Sequence, residues 1–220
     1  MSNQASWDSF NDFLLHGSTD RFAKILSRYE LFMRVIDVPG DIVECGVFKG
    51  TGVLFWAKLI QIFHPLSLRK VVGFDTFGEF PATGEVDQKF AADLCTEAAY
   101  DGADPDALMA IASECGVRDR IELIPGDARA TIREYVEVHP GFRIALLNLD
   151  FDTYAPTHAA LEVLYDSVVP GGIVISDEYG LSGCSESDAI DDYIREHGLS
   201  GVRLRGLPWN LSPMAYFTKP

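Results

Sequence analysis

Short apolar segments alternate along this chain with longer segments of helical spacing, and glycine-rich turns separate the two. Residues 41–44 are typical of a strand, residues 51–63 of an apolar helix, and residues 70–75 of a second strand. Parallel strands are joined through a helical crossover, because a tight hairpin can connect only antiparallel strands. The pattern therefore predicts an α/β protein with a mostly parallel sheet.

The same alternation continues to the end of the chain. The pattern predicts further strands at 121–124, 144–149 and 173–176, and further helices at 104–116, 128–138, 156–167 and 185–197. The last two apolar segments indicate a C-terminal antiparallel hairpin, with arms at 202–207 and 214–218. This order of elements predicts a doubly wound sheet, in which ligands bind beyond the carboxyl ends of the strands.

The chain shows no repeat and no linker-like segment, so we predict a single domain over residues 1–220. Residues 1–40 are expected to form a helical extension, because apolar side chains recur at helical spacing over 20–36. This apolar helix is also a candidate contact in a homo-oligomer. Residues 76–103 form a long excursion between elements, and we predict that they act as a lid over a site.

The composition is that of a globular protein with a strongly acidic surface. The formal net charge of −15 disfavours nucleic acid and anionic membranes as partners. No apolar run is long enough to span a bilayer, and the N-terminal residues lack the features of a secretory signal. The four cysteines form no Cys-x-x-Cys pair, which argues against structural zinc. We therefore expect a cytoplasmic protein.

A glycine-rich turn follows the first predicted strand. Gly46, Gly50 and Gly52 have the spacing G-x-x-x-G-x-G, which differs from the dinucleotide fingerprint G-x-G-x-x-G. Such glycines let the backbone turn sharply and approach a ligand. Asp75 follows Gly52 by 23 residues and ends the second strand, where a carboxylate can accept hydrogen bonds from both ribose hydroxyls of a nucleoside. The alternatives are a plain strand-to-helix turn and a capping role for Asp75.

A further acid follows the third predicted strand, in the segment Gly126-Asp127-Ala128. The Asp127 side chain has two candidate roles. It can pair with the amino group of a bound adenine, or it can cap the helix that begins there. The sequence leaves both open.

Three carboxylates follow the fourth and fifth predicted strands. Asp150 comes after the fourth strand, and Asp177 and Glu178 come after the fifth. Adjacent parallel strands end side by side, so these groups are expected to converge and to repel one another. A divalent cation with oxygen ligands removes that repulsion, and magnesium fits this donor set best. The alternative is a set of exposed acids at the strand ends.

At these positions the chain resembles the macrocin and mycinamicin sugar O-methyltransferases, a metal-dependent group of class I S-adenosylmethionine (SAM) methyltransferases with a Rossmann-like domain. The resemblance covers roughly residues 40–195. It is carried by Glu44-Cys45-Gly46-Val47 with Gly50, Gly73-Phe74-Asp75-Thr76-Phe77, Leu149-Asp150-Phe151-Asp152-Thr153-Tyr154, Pro170-Gly171-Gly172-Ile173-Val174-Ile175 leading to Asp177-Glu178-Tyr179, and Ala189-Ile190-Asp191-Asp192-Tyr193.

The resemblance implies roles for individual residues. The implied cofactor-binding set is Glu44, Gly46 and Thr51 at the methionine end, Asp75 at the ribose, Asp127 and Ala128 beside the adenine, and Gly50 and Thr76 in the flanking turns. Asp150, Asp177 and Glu178 are the implied Mg²⁺ ligands. The family usually has two aspartates in the acidic pair, and here the second is Glu178.

The expected activity is metal-dependent methyl transfer from SAM to a hydroxyl of a small polar acceptor, a sugar or a glycosylated metabolite. Asp150 is the candidate general base, and His158 is the alternative. Tyr154, Tyr179 and Trp209 are candidate acceptor-pocket residues. Three other functions stay open: a methyltransferase for catechol-like diols, a nicotinamide-dependent oxidoreductase, and a non-catalytic nucleoside-binding module.

Overall fold

A six-stranded sheet forms the centre of the computed structural model, which describes residues 3–78, 85–97, 99, 102–209, 212–213 and 215–220. The strand order is β3-β2-β1-β4-β5-β6, and β6 alone is antiparallel to its neighbour. The mostly parallel α/β sheet is therefore confirmed. The strands are β1 (Asp41–Cys45), β2 (Val71–Asp75), β3 (Ile121–Pro125), β4 (Ile144–Leu149), β5 (Val168–Ser176) and β6 (Ala215–Thr218).

The helices of the described residues lie between the strands and before the first one. Apart from the first and fourth helices, for which the sequence predicted no bounds, they begin and end close to the positions predicted from hydrophobic spacing. They are α1 (Asn3–His16), α2 (Thr19–Arg34), α3 (Thr51–Phe63), α4 (Glu85–Glu97), α5 (Pro105–Glu114), α6 (Ala128–Val138), α7 (Tyr154–Leu164) and α8 (Glu186–Glu196). None of the helices among these residues combines the length and the apolar character that a bilayer-spanning segment needs.

Two apolar layers pack on the two faces of the sheet. Successive residues of a strand point to opposite faces, so Ile42 of β1 enters one layer and Val43 enters the other. Trp56 of α3 fills the first layer, and Phe74 of β2 fills the second. Burial on both faces accounts for the nearly continuous apolar character of the central strands.

The strand order reverses at β1, which lies between β2 and β4. The loops that follow β1 and β4 therefore separate at the carboxyl edge and leave a crevice between them. Gly46 is in the left-handed region (φ +94°), and a Cβ built on it would lie 1.9 Å from the carbonyl oxygen of Asp150. The backbone N–H of Asp150 also donates to the Cys45 carbonyl over 2.8 Å. Glycine at position 46 thus allows the two loops to touch at the base of the crevice.

Two predicted details at the C-terminal side of the sheet were wrong. Strand β5 begins at Val168, before the Pro-Gly-Gly segment, and not at residue 173. Val168 pairs with Ile144 and Ile173 pairs with Leu146, so the residues between them bulge out of the ladder. The first predicted hairpin arm, 202–207, forms a single bridge from Arg205 and pairs no further. Residue 214 of the second arm lies outside the described residues.

The segment predicted as a lid contains helix α4, while residues 79–84, 98 and 100–101 of that segment lie outside the described part of the chain. Asp87 of α4 is buried and accepts hydrogen bonds from the Ser185 hydroxyl and from the backbone N–H of Tyr154, the latter over 3.4 Å. This carboxylate ties α4 to the starts of α7 and α8. Motion of the segment as a lid stays a prediction.

Gly46→Ala is expected to destabilise the protein by about 3 kcal/mol or more, because the added Cβ clashes with backbone and the residue must keep a positive φ. Urea unfolding measures the change. The matched control is Gly141→Ala, where a Cβ meets no atom within 4 Å. Equal effects of the two substitutions would contradict the tight contact between the loops.

Candidate active site

A cavity of about 820 Å³ lies at the carboxyl edge of the sheet, in the crevice at the strand-order reversal. The loops after β1, β2 and β4 form its floor and one wall, and residues of α1 and α2 line the opposite side. Phe13 of α1 lines the cavity and stacks on Phe22 of α2, with ring centroids 4.7 Å apart. The N-terminal helical extension therefore contributes directly to the site.

Asp75 organises the turn that follows β1. Its Oδ2 accepts the backbone N–H groups of Val47 (2.7 Å) and Phe48 (2.8 Å), and its Oδ1 accepts that of Phe77 (2.7 Å). Phe48 and Phe77 both have positive φ, 52° and 56°. The carboxylate thus holds two residues in a conformation that L-amino acids rarely adopt. Asp75 also lines the cavity, and its oxygens keep further lone pairs for a ligand.

Glu44, at the carboxyl end of β1, is buried against the start of α3. A Cβ on Gly52 would lie 1.7 Å from Glu44 Oε1, so the carboxylate fills the space that a side chain at position 52 would need. Burial raises the pKa of Glu44 to about 7, and the nearby Arg28 guanidinium acts in the opposite direction. Glu44 therefore lines the cavity as a carboxyl group whose pKa lies close to neutral pH.

The other predicted cofactor residues divide into two groups. Gly46, Thr51, Thr76 and Ala128 line the cavity together with Glu44 and Asp75. Gly50 and Asp127 are not among the lining residues.

Gly50 precedes α3 with a φ of +82°, in the left-handed region that favours glycine, and its contact with the cofactor stays a prediction. Asp127 caps α6 by accepting the N–H of Arg129 over 3.0 Å, and its carboxylate also pairs with the Arg129 guanidinium. The capping alternative for Asp127 is therefore present in the structure.

The three carboxylates that follow β4 and β5 converge as predicted. Asp150, Asp177 and Glu178 each offer an oxygen, and these oxygens lie within 4.8 Å of one another. Asp150 and Glu178 line the cavity, and Asp177 is fully buried beneath them. Asp177 Oδ1 has no hydrogen-bond partner. Burial raises the pKa of Asp150 well above its usual value, and the negative charge of Asp177 is the next largest cause.

Two basic side chains of α2 approach these carboxylates, and the sequence analysis missed both. Lys24 Nζ lies 2.7 Å from Asp177 Oδ2, while Arg28 Nη2 lies 3.6 Å from Asp150 Oδ2 and 3.9 Å from Asp177 Oδ1. Burial, the largest influence, acts to raise the pKa of Asp177, but Lys24 and Arg28 together hold it below its usual value. No local sequence signal identifies these residues, because α2 is more than a hundred residues away from Asp150 and Asp177.

Asp152 is a further carboxylate that lines the cavity, and sequence reasoning did not assign it to the site. Its φ of 63° and its backbone hydrogen bond to Glu186 Oε2 (3.2 Å) fix the bend of the loop after β4. Burial and then the Glu178 charge raise the pKa of Asp152 to about 8. Glu186 also accepts the Ser176 hydroxyl (2.6 Å) and the Glu178 N–H (3.2 Å), so one buried side chain braces both acidic loops.

Several candidate acceptor residues do not line this cavity. The Tyr154 hydroxyl donates to Asp192 over 3.0 Å, and the Tyr179 hydroxyl donates to Asp191 over 2.8 Å. Both rings are thereby held against α8. The alternative base His158 pairs with Glu196 at 3.1 Å, and Trp209 is 53% exposed. Tyr154 and Tyr179 were predicted from their closeness in sequence to the acids, but their hydroxyls bond to α8. Trp209 was predicted from its place in the C-terminal loop, and it does not line the cavity.

We expect Glu44 to make the stability of the protein depend on pH. Its stabilising contribution is fully present below its usual pKa of 4.5 and is lost as the pH rises through about 7, because the folded state holds the proton more tightly. Between pH 5 and 8, the wild type should lose about 3 kcal/mol of unfolding free energy relative to Glu44→Gln. Urea unfolding across this range measures the difference.

The control is Glu137→Gln, which changes an exposed glutamate on α6 in the same way. If the difference between wild type and Glu44→Gln did not change with pH, Glu44 would not be a buried acid that is protonated near neutrality.

Comparison with known proteins adds a second line of evidence. Mycinamicin III 3''-O-methyltransferase of Micromonospora griseorubida is 29% identical over 184 residues, which cover 80% of this chain and 70% of that protein. A Streptomyces olivaceus 4'-O-methyltransferase for 8-demethyl-8-(2,3-dimethoxy-alpha-L-rhamnosyl)-tetracenomycin-C is 31% identical over 168 residues, 74% of this chain. The match spans 61% of that second relative, so the chain corresponds to only part of its length.

Solved structures show the same similarity. CalS11, described as a calicheamicin methyltransferase, is 31% identical with a TM-score of 0.77, and the match covers 97% of this chain and 85% of that one. The O-methyltransferase NovP is 25% identical with a TM-score of 0.75, covering 90% and 79%. The model of the family described as Macrocin-O-methyltransferase (TylF) matches residues 19–203. The chain therefore belongs to the macrocin O-methyltransferase family of SAM-dependent O-methyltransferases.

Proposed function

We propose that this protein transfers a methyl group from SAM to a hydroxyl of a sugar or a glycosylated small molecule, with a divalent cation held at the acidic cluster. The observation that carries the proposal is the shared cavity. The turn organised by Asp75 and the carboxylates of Asp150 and Glu178 face the same space of about 820 Å³. A methyl donor bound at the turn and a hydroxyl acceptor bound at the acids would therefore meet inside one cavity.

The cofactor end of the cavity is proposed to lie between β1 and β2. Glu44, Gly46 and Thr51 would surround the methionine part of SAM, and Asp75 would accept the ribose hydroxyls through its remaining lone pairs. The capping and ion-pair contacts of Asp127 favour Ala128, which lines the cavity, as the neighbour of the adenine. SAM supplies an already activated methyl group, so alignment by these residues would provide much of the acceleration.

The acidic cluster fits a magnesium ion. Asp150, Asp177 and Glu178 offer hard oxygen ligands within 4.8 Å of one another, and the buried Asp177 Oδ1 lacks any hydrogen bond. Glu178 has one more methylene than aspartate, and its oxygen still reaches the cluster. When bound, the cation supplies positive charge that lowers the pKa of an acceptor hydroxyl.

Asp152 is the better candidate for the general base, although the sequence suggested Asp150. A carboxylate that ligates a cation is a weak proton acceptor, and Asp150 belongs to the proposed ligand set. Asp152 lies outside that set and still lines the cavity. We propose that a carboxylate oxygen of Asp152 takes the hydroxyl proton while Asp150 holds the cation.

The acceptor class comes from the relatives. The name of the Streptomyces olivaceus relative includes a rhamnosyl group, and a further solved structure of CalS11 is described as that of a TDP-rhamnose 3'-O-methyltransferase. A sugar is also consistent with the charged side chains of Arg21 and Lys24 in the cavity wall. The catechol alternative therefore has less support.

The proposal predicts methyl transfer that depends on both SAM and Mg²⁺. The assay uses the full chain with isotopically labelled SAM and a panel of free, nucleotide-linked and glycoside-linked sugars, with a catechol for comparison. EDTA should abolish transfer and Mg²⁺ should restore it. Asp177→Asn and Glu178→Gln should each lower kcat by about 100-fold or more, because each removes a ligand that carries negative charge.

SAM affinity provides the control, because calorimetric titration of the same variants should give a Kd close to that of the wild type. Asp119→Asn changes an exposed aspartate and serves as the matched substitution. Full activity in EDTA together with full activity of both cluster variants would contradict the metal-assisted reaction. Methylation of the catechol in preference to every sugar would contradict the proposed acceptor.

A further inference from the structure

A lysine of the N-terminal helical extension occupies one side of the proposed metal site. Lys24 lies on α2, 153 residues before Asp177 in the chain, and its Nζ is 2.7 Å from Asp177 Oδ2. The lysine side chain is 27% exposed and lines the cavity, whereas the aspartate side chain is fully buried. An ion pair with one buried member is much less screened by solvent than a surface pair.

A cation close to Asp177 stabilises the negative charge of this buried carboxylate. Asp177 is fully buried, and oxygens of Asp150 and Glu178 lie within 4.8 Å of one of its own, so these carboxylates repel one another when they are ionised. Among the ion pairs of the described residues, Lys24 and Arg28 are the basic partners of Asp150 and Asp177. Arg28 stays at least 3.6 Å from both carboxylates, so Lys24 makes the closer contact with Asp177.

The two oxygens of Asp177 differ in their contacts. Oδ2 accepts from Lys24 and from the Ser212 hydroxyl, while Oδ1 has no hydrogen bond and lies 3.9 Å from Arg28 Nη2. A divalent cation on Oδ1 would share one carboxylate with an ammonium group on Oδ2. Two positive charges so close repel each other strongly in a buried setting.

We propose that Lys24 is an exchangeable counter-ion of Asp177: its ammonium group neutralises the carboxylate when no divalent cation is bound, and it leaves the carboxylate when a divalent cation binds. The inference rests on the proposed metal site. It assigns Lys24 a positioning role, since the lysine acts through Asp177 and takes no part in the transfer itself.

The exchange would couple the metal site to the cavity wall. Lys24 lies on the same face of α2 as Arg21 and Arg28, and all three residues line the cavity. Release of the lysine removes a contact that holds α2 against the end of β5. Binding of the cation would thereby change the wall that faces the acceptor.

The first test measures Mn²⁺ binding by calorimetry to the metal-free full chain. Lys24→Met should bind Mn²⁺ about tenfold more tightly than the wild type, because the competing charge is gone. Lys24→Gln keeps a polar side chain without the charge and should show the same gain. The control is Lys70→Met, which removes a half-exposed lysine whose partner is Glu122. Asp177→Asn should abolish Mn²⁺ binding, both in the otherwise wild-type chain and in combination with either Lys24 substitution.

The second test follows the lysine itself. Reductive methylation with mass-spectrometric readout should label Lys24 slowly in EDTA and several-fold faster in saturating Mg²⁺, relative to Lys70 in the same sample. Without an increase, Lys24 stays on Asp177 and the exchange is ruled out, even if Lys24→Met binds more tightly.

The outcomes separate this inference from the proposed function. Equal Mn²⁺ affinities for wild type and Lys24→Met, with loss of binding in Asp177→Asn, would keep the metal site and overturn the exchange. Absence of Mn²⁺ binding in wild type and in both Lys24 variants would overturn the metal site and the exchange together. Binding by the Lys24 variants alone would be the strongest support for the exchange.

Discussion

The carboxylate of Asp75 is the constraint on which the cavity depends. It accepts backbone N–H groups from Val47, Phe48 and Phe77, and so fixes the turns after β1 and β2 relative to each other. Two of those residues have positive φ, at a cost of roughly 1–2 kcal/mol each. Hydrogen bonds to a charged group contribute about 1.5–3 kcal/mol each, which is enough to offset that strain. The turns after β1 and β2, which line the cavity, are therefore stabilised by hydrogen bonds of the protein itself.

The acidic half of the site presents the opposite physical problem. The sheet topology brings the ends of β4 and β5 together, so Asp150 and Asp177 are close whether or not their charges are balanced. Glu186 accepts the backbone N–H of Asp152 in the loop after β4 and that of Glu178 in the loop after β5, and so holds the two loops together. The fold therefore accumulates negative charge at one edge, and α2 and the proposed cation are two ways to neutralise it.

The sequence could predict features that depend on periodicity and chain order. The strand and helix positions follow from hydrophobic spacing, and the convergence of Asp150 with Asp177 follows from parallel strands ending at one edge. It could not predict contacts between distant segments, so it missed the approach of Lys24. It also placed a strand at 202–207, where only Arg205 forms a bridge, and the apolar Val202, Leu204 and Leu207 pack against the core without strand pairing. An aspartate at position 127 suits both a helix cap and a contact with adenine, so the sequence could not distinguish the two roles. The hydrogen bond from the Arg129 N–H shows that Asp127 caps α6.

The most direct test of the account is a calorimetric titration of SAM into the wild type and into Asp75→Asn, with Asp119→Asn as the control. This titration tests whether the Asp75 carboxylate shapes the proposed SAM cleft by holding the turns after β1 and β2. The asparagine amide would direct its own N–H group at a backbone donor, so it cannot accept all three hydrogen bonds. We expect micromolar binding to the wild type and at least about tenfold weaker binding to a folded Asp75→Asn variant. Equal affinities, or no binding to the wild type, would contradict it.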